Sequence, residues 1–173
     1  MAHETFHYFA YGSNMLTRRL TSPKPKRAPS AVSIGTGYIA GRRLTFDKRS
    51  RDGSGKCDAE ETGNATDRVY GVIFEISFSD KCDLNRAEGR GNGYELETVE
   101  VITKQGTALA QTYIATRKER GLRPYHWYKA LVVSGAVEHD LPSSYVEWLR
   151  VFKSEEDPDA DRRAENEAIL FAD

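Results

Sequence analysis

From Phe6 to Tyr11 the chain is aromatic and strand-prone, and at Gly12-Ser13-Asn14 it turns polar before a helical pattern over Met15–Leu20. Gly12 permits backbone torsions closed to other residues, and Ser13 and Asn14 are favoured N-cap types, so strand, tight loop and helix are expected in that order. Ala31–Asp47 is rich in Val, Ile, Tyr and Thr but interrupted by three glycines, which predicts one long bent strand or two short ones. Arg68–Phe78 is the clearest strand, with Val72, Phe74, Ile76 and Phe78 on one inward face. Tyr94–Lys104 and Thr107–Thr116 flank Gln105-Gly106 and read as an antiparallel hairpin.

Helical rhythms alternate with these strands. Ser79 and Asp80 offer N-cap chemistry to a short helix over Lys81–Glu88, and Gly89 stands where a helix C-terminal glycine belongs. Trp127, Leu131, Val132, Ala136 and Val137 recur at helical spacing within Tyr125–Glu138, and Pro142–Phe152 predicts a shorter helix. Thr21–Ser30, with three prolines and several cations, reads as an exposed connection, and Lys48–Thr66 as a long polar loop. The Gly-Ser-Gly-Lys run in that loop lacks the spacing and following helix of a phosphate loop. The predicted fold is α+β: a curled, mainly antiparallel sheet or small β-barrel flanked by short helices. One domain, 1–152, is expected, with 153–173 as a charged tail or terminal helix.

Composition narrows the function. The 173 residues carry 25 Lys plus Arg against 26 Asp plus Glu, a net charge of −1, so no general field attracts nucleic acid or anionic membrane. Two cysteines, Cys57 and Cys82, are too few for a disulfide framework or a cysteine-based zinc site and read as reduced thiols. The four histidines, His3, His7, His126 and His139, are scattered without ligand spacing, so no metal site is expected. The start carries no basic segment followed by an apolar run, and no stretch suits a bilayer, so a cytoplasmic protein is expected.

Two places carry candidate chemistry. The loop at Gly12-Ser13-Asn14 can turn successive N–H groups into one concavity and hold a carboxylate or an oxyanion. Taken alone, it reads more simply as a capped helix after a buried strand. Glu88 shares a helical face with Leu84, with Ala87 adjoining, so its carboxylate sits with residues expected to pack inward. A helix C-terminus and a loss of hydration both disfavour its charged form, which makes it a candidate general base; a frayed helix letting Glu88 pair with Arg86 or Arg90 is the simpler alternative. Gly89-Arg90-Gly91-Asn92-Gly93-Tyr94 follows, a three-glycine loop able to bring a substrate close.

Together these segments resemble the gamma-glutamylcyclotransferase-like family. Tyr11-Gly12-Ser13-Asn14-Met15 resembles its substrate-binding loop, and Ala87-Glu88-Gly89 with Gly93-Tyr94 resembles the segment bearing its catalytic glutamate. Arg43–Phe46 and Val69–Glu75 are similar to its core strands, and Tyr113 and Tyr128 fall where it has tyrosines near the pocket. The resemblance spans roughly Phe6–Phe152; Cys57–Thr62 departs from it, being more acidic than the family's apolar strand there.

The resemblance implies that a gamma-glutamyl compound cyclises, its α-amine attacking its own γ-carbonyl to release 5-oxoproline and a free amine or amino acid, without a cofactor. It implies Glu88 as general acid/base, the Tyr11–Met15 loop and Tyr94, Tyr113 and Tyr128 as substrate-binding residues, and a small-molecule gamma-glutamyl partner with neither nucleic acid nor membrane; a homodimer is the candidate assembly. One alternative is the same chemistry on gamma-glutamyl amines in a dedicated pathway. Another is a non-catalytic small-anion binding module on the same fold.

Overall fold

Five strands wrap into a closed barrel in the order β1-β5-β2-β6-β7, and the structure, a computed structural model, describes residues 4–171. The strands are β1 (Thr5–Ala10), β2 (Val32–Ala40), β5 (Arg68–Ser77), β6 (Tyr94–Thr103) and β7 (Gly106–Ala115). All neighbours pair antiparallel except β7 with β1, which closes the barrel in parallel at Tyr8 opposite Gln111. The α+β expectation with a small barrel therefore holds. Closure removes the sheet edges and lets both ends of each strand serve a site.

Glycines set the curl. A register shift lies between Ser33 and Gly35 in β2, and a Cβ placed on Gly37 would come within 2.5 Å of the Ile102 carbonyl of β6. The stretch predicted as one bent strand or two short ones is two long strands, β2 and β3 (Arg42–Arg49), hinged at Gly41. β3 leaves the barrel to form a ribbon with β4 (Gly55–Glu61).

That ribbon corrects the long-loop reading of Lys48–Thr66. Lys56, Asp58, Glu60 and Glu61 make β4 look solvated, yet Asp58 is fully buried. Its Oδ1 accepts from the Ala115 N–H at 2.8 Å and its Oδ2 pairs with Lys118 at 2.7 Å, so a strand with acidic inward positions is stapled to β7.

Five helices, α1 (Thr17–Leu20), α2 (Lys81–Glu88), α3 (His126–Glu138), α4 (Ser143–Arg150) and α5 (Ala160–Phe171), surround the barrel. The buried stripe of α3 is Trp127, Tyr128, Leu131, Val132, Gly135 and Ala136; Val137, expected on it, faces solvent. Phe78, expected inside β5, begins a 3₁₀ turn and is also exposed. That turn is capped by Ser77, which accepts from the Ser79 N–H, whereas Asp80 accepts from Ser30 and caps nothing.

In the stretch 153–171, Asp157 is buried, receiving hydrogen bonds from Trp127 Nε1 and Arg162 Nε, both at 2.8 Å. Ile169 and Leu170 of α5 pack on the core. The chain start and His3 lie outside the described residues. Among those residues no helix is long and apolar enough to cross a membrane.

Candidate active site

β1 delivers the first half of the site. After Ala10 the chain makes a 3₁₀ turn at Ser13–Met15 and then only the four residues of α1, so the expected helix is too short to add an appreciable dipole. Neither Ser13 nor Asn14 acts as a cap. Ser13 Oγ instead accepts from Arg19 Nε at 3.0 Å, and the Asn14 side chain turns toward Glu88. The N–H groups of Gly12, Ser13 and Asn14 find no acceptor among the described residues and stay available to a ligand.

The turn is held from behind by α3. A Cβ on Gly135 would lie 2.5 Å from the Leu16 nitrogen and 2.6 Å from Met15 Cβ, so only glycine lets the helix backbone lie this close. Met15 is completely buried in that contact and does not line the cavity. It supports the loop from below.

α2 delivers the second half. Its last residue, Glu88, is followed by Gly89 at φ 68°, the left-handed conformation that ends the helix. Leu84 is fully buried on the same face, and Ala87 is exposed. Asn14 Nδ2 donates to Glu88 Oε1 at 2.7 Å, joining two segments 74 residues apart. A carboxylate only accepts, which assigns nitrogen to the Asn14 atom facing it. The same NH₂ also donates to the Tyr8 hydroxyl at 3.2 Å, while Asn14 Oδ1 is buried without a donor.

Between them lies a narrow pit of about 30 Å³. Tyr11, Gly12, Ser13, Asn14, Glu88, Tyr94, Tyr113 and Tyr128, all expected from sequence, converge on it. The tyrosines are fixed by hydrogen bonds. Tyr94 donates to the Cys57 carbonyl at 2.6 Å, Tyr113 to Asn85 Oδ1 at 2.7 Å and Tyr11 to the Tyr113 carbonyl, while Tyr128 accepts from the Cys57 N–H at 3.1 Å.

Two lining residues were missed: Tyr8 and Cys57. Tyr8 shares the inward face of β1 with Phe6 and Ala10, so a hydroxyl on that face was the available signal. Cys57 lies on the ribbon strand that polarity concealed.

Electrostatics make the pit a place of neutral donors with one carboxylate. Burial, and next the negative charge of Glu88, raise the Tyr8 hydroxyl well above its ordinary value. Burial is likewise the largest cause of the raised values of Tyr11, Tyr94, Tyr113 and Tyr128. The Cys57 thiol is pushed up to about 12, chiefly by burial, so it is no nucleophile at neutral pH. Cys82 is exposed and does not line the pit. Among the described residues no three His, Cys, Asp or Glu side chains form a metal-binding group. His126 bonds Ser154 and His139 bonds Glu138, outside the pit.

Residues 68–149 match the model of the AIG2-like family. The chain is 32% identical to the gamma-glutamylcyclotransferase of Mus musculus over 162 residues, covering 88% of this chain and 81% of the relative. The human gamma-glutamylcyclotransferase is also 32% identical, over 161 residues, covering 87% and 80%. Among solved structures, a gamma-glutamyl cyclotransferase superposes with a TM-score of 0.84 at 27% identity, covering 98% of this chain and all of that one.

Proposed function

The chain belongs to the gamma-glutamylcyclotransferase family of enzymes, and from that premise we propose that it cyclises a gamma-glutamyl amino acid or gamma-glutamyl amine, with Glu88 as general acid/base. The observation that carries the reading is the 2.7 Å contact between Asn14 and Glu88 at the wall of a tyrosine-lined pit. It keeps one carboxylate oxygen occupied and the carboxylate oriented, while the other oxygen has no hydrogen-bond partner among the described residues.

The substrate brings its own nucleophile, so the enzyme gains rate from holding a near-attack conformer and moving protons. The α-ammonium gives one proton to Glu88 and the freed amine bonds to the γ-carbon; Glu88 returns that proton to the leaving nitrogen as its bond to the γ-carbon breaks, and the surplus proton on the attacking nitrogen passes to the released amine, leaving a neutral lactam and an ammonium. The unoccupied N–H groups of Gly12, Ser13 and Asn14 suit either the substrate's α-carboxylate or the oxyanion on the γ-carbon. Asn14 Oδ1, a buried acceptor without a donor, suits the α-ammonium. Tyr8 and Tyr113, neutral because their ionisation is suppressed, supply uncharged walls.

A non-catalytic anion receptor on this fold would gain nothing from a carboxylate beside its ligand. Incubation with gamma-glutamyl dipeptides, gamma-glutamyl amines and glutathione, followed by mass spectrometry, should yield 5-oxoproline from at least one compound. None from any of them, with the protein folded, would favour the receptor.

A further inference from the structure

Glu88 is a wall shared by two cavities. On its inner side is the pit; on its outer side is a groove of about 490 Å³ between the β3–β4 turn, the end of α2 and the stretch after β7. With the glutamyl half in the pit and the γ-carbonyl at Glu88, the amine half has the groove as its way out.

The groove's charge is one-sided although the whole chain has a net charge of −1. Its lining holds Lys48, Arg49, Arg51, Arg86 and Arg117 against the carboxylate of Glu88. Two of these cations are already paired, Arg49 with Glu119 and Arg86 with Asp83 at 2.9 Å, a carboxylate that Arg86 shares with Lys26. Lys48, Arg51 and Arg117 have no ion-pair partner among the described residues.

The fold gathers them. The Arg49 N–H donates to the Arg117 carbonyl at 3.0 Å, tying the end of β3 to the chain beyond β7. Gly93, at φ 121°, lies beneath both stems: a Cβ there would be 3.1 Å from Lys48 Cε and 3.9 Å from Arg117 Cδ. The Lys48 ammonium stands 4.7 Å from the ring centre of Tyr94, which lines the pit. Burial lowers the pKa of Lys48, and the neighbouring Arg117 and Arg51 lower it further, against the opposing pull of Glu88 and Asp52. An anion entering the groove relieves that repulsion.

We propose that this groove selects leaving groups carrying two or more carboxylates, as in a gamma-glutamyl dicarboxylic amino acid or a gamma-glutamyl acidic peptide. The inference rests on the cyclotransferase reading and adds the class of amine that leaves. One carboxylate of an ordinary amino acid engages one of three unpaired cations; a second carboxylate engages another within the same groove.

The test compares kcat/KM for gamma-glutamyl-glutamate and gamma-glutamyl-glutamine, which share a shape and differ by one charge. At low salt the glutamate compound should be favoured about tenfold, and the preference should shrink above about 0.15 M salt, where the screening length is about 8 Å. In the double variant Arg51→Gln/Arg117→Gln, whose sites are solvent-exposed, the ratio of the two values should fall toward one. Equal values in the unmodified enzyme overturn the inference and leave the cyclotransferase reading standing. A preference unchanged in the double variant overturns the assignment to this groove. No 5-oxoproline from either compound, nor from gamma-glutamyl-alanine, overturns both readings.

Discussion

Replacing Glu88 with glutamine separates the chemistry of this site from its architecture. The glutamine carbonyl can occupy the position of Oε1 and keep accepting from Asn14 Nδ2, which now stands at 2.7 Å. What is lost there is the charge assistance of one hydrogen bond, about 1 kcal/mol. Removing an anion from the last turn of α2 returns about 0.5 kcal/mol. The net change in stability is then below about 1 kcal/mol, which for a chain of this size moves Tm by at most about 4 °C. On the proposed mechanism the amide cannot take a proton from the substrate's ammonium, and the loss of general acid/base catalysis should lower kcat by about 10² to 10⁴, or roughly 3–5 kcal/mol in the barrier. Release of 5-oxoproline under saturating substrate, measured by mass spectrometry beside a thermal melt, reads both quantities. A near-normal rate at an unchanged Tm would remove Glu88 from the mechanism.

Other perturbations probe its supports. Asn14→Ala removes the donor that orients Glu88 and the buried acceptor beside it, so kcat/KM should fall about 10- to 100-fold; steady-state kinetics check this, and an unaltered kcat/KM would refute the positioning role. Gly135→Ala forces a methyl against the Leu16 nitrogen, where backbone must yield, so a loss of about 1–3 kcal/mol and a lower rate are expected, read by thermal melts and turnover. Hydrogen bonds from Arg162, and next from Trp127, hold the pKa of Asp157 at about 2 against an ordinary 3.8. A depressed folded-state value stabilises above the unfolded one, so the anchoring of the stretch before α5 should persist above pH 4 and weaken as pH falls toward about 2. Trp127 fluorescence during acid titration measures it, and a signal unchanged over that window would contradict the assignment.

Much of the lining of the pit was legible because it is local. Tyr11-Gly12-Ser13-Asn14 and Glu88-Gly89 each occupy a few consecutive residues at the end of a strand or helix, where turn and cap rules constrain the backbone directly. The strands β5, β6 and β7 were equally readable, since an alternating pattern or a short turn announces them. The strand β4 was not. Its buried Asp58 is tolerable only because the Ala115 N–H and Lys118 lie across from it, and hydropathy along the chain carries no record of those partners. The same reason explains Asp80, whose carboxylate was drawn to Ser30 rather than to its own helix, and Asn14, which left capping for a carboxylate 74 residues away.

What the sequence by itself determined is the set of elements whose side chains decide their own backbone: strands that alternate, helices that carry a stripe, and a glycine that ends α2. What only the tertiary structure decided is which polar groups meet. The approach of α3 to the Gly12–Leu16 turn, open because Gly135 has no side chain, sets the floor of the pit. Closure of β7 onto β1 faces Tyr8 and Tyr113 across 5.8 Å. The end of β3 and the chain beyond β7 bring Lys48 and Arg117 together over Gly93. Buried charges and hydroxyls take their energies from partners remote in the chain, so their positions follow from the closed barrel and not from any window of neighbouring residues.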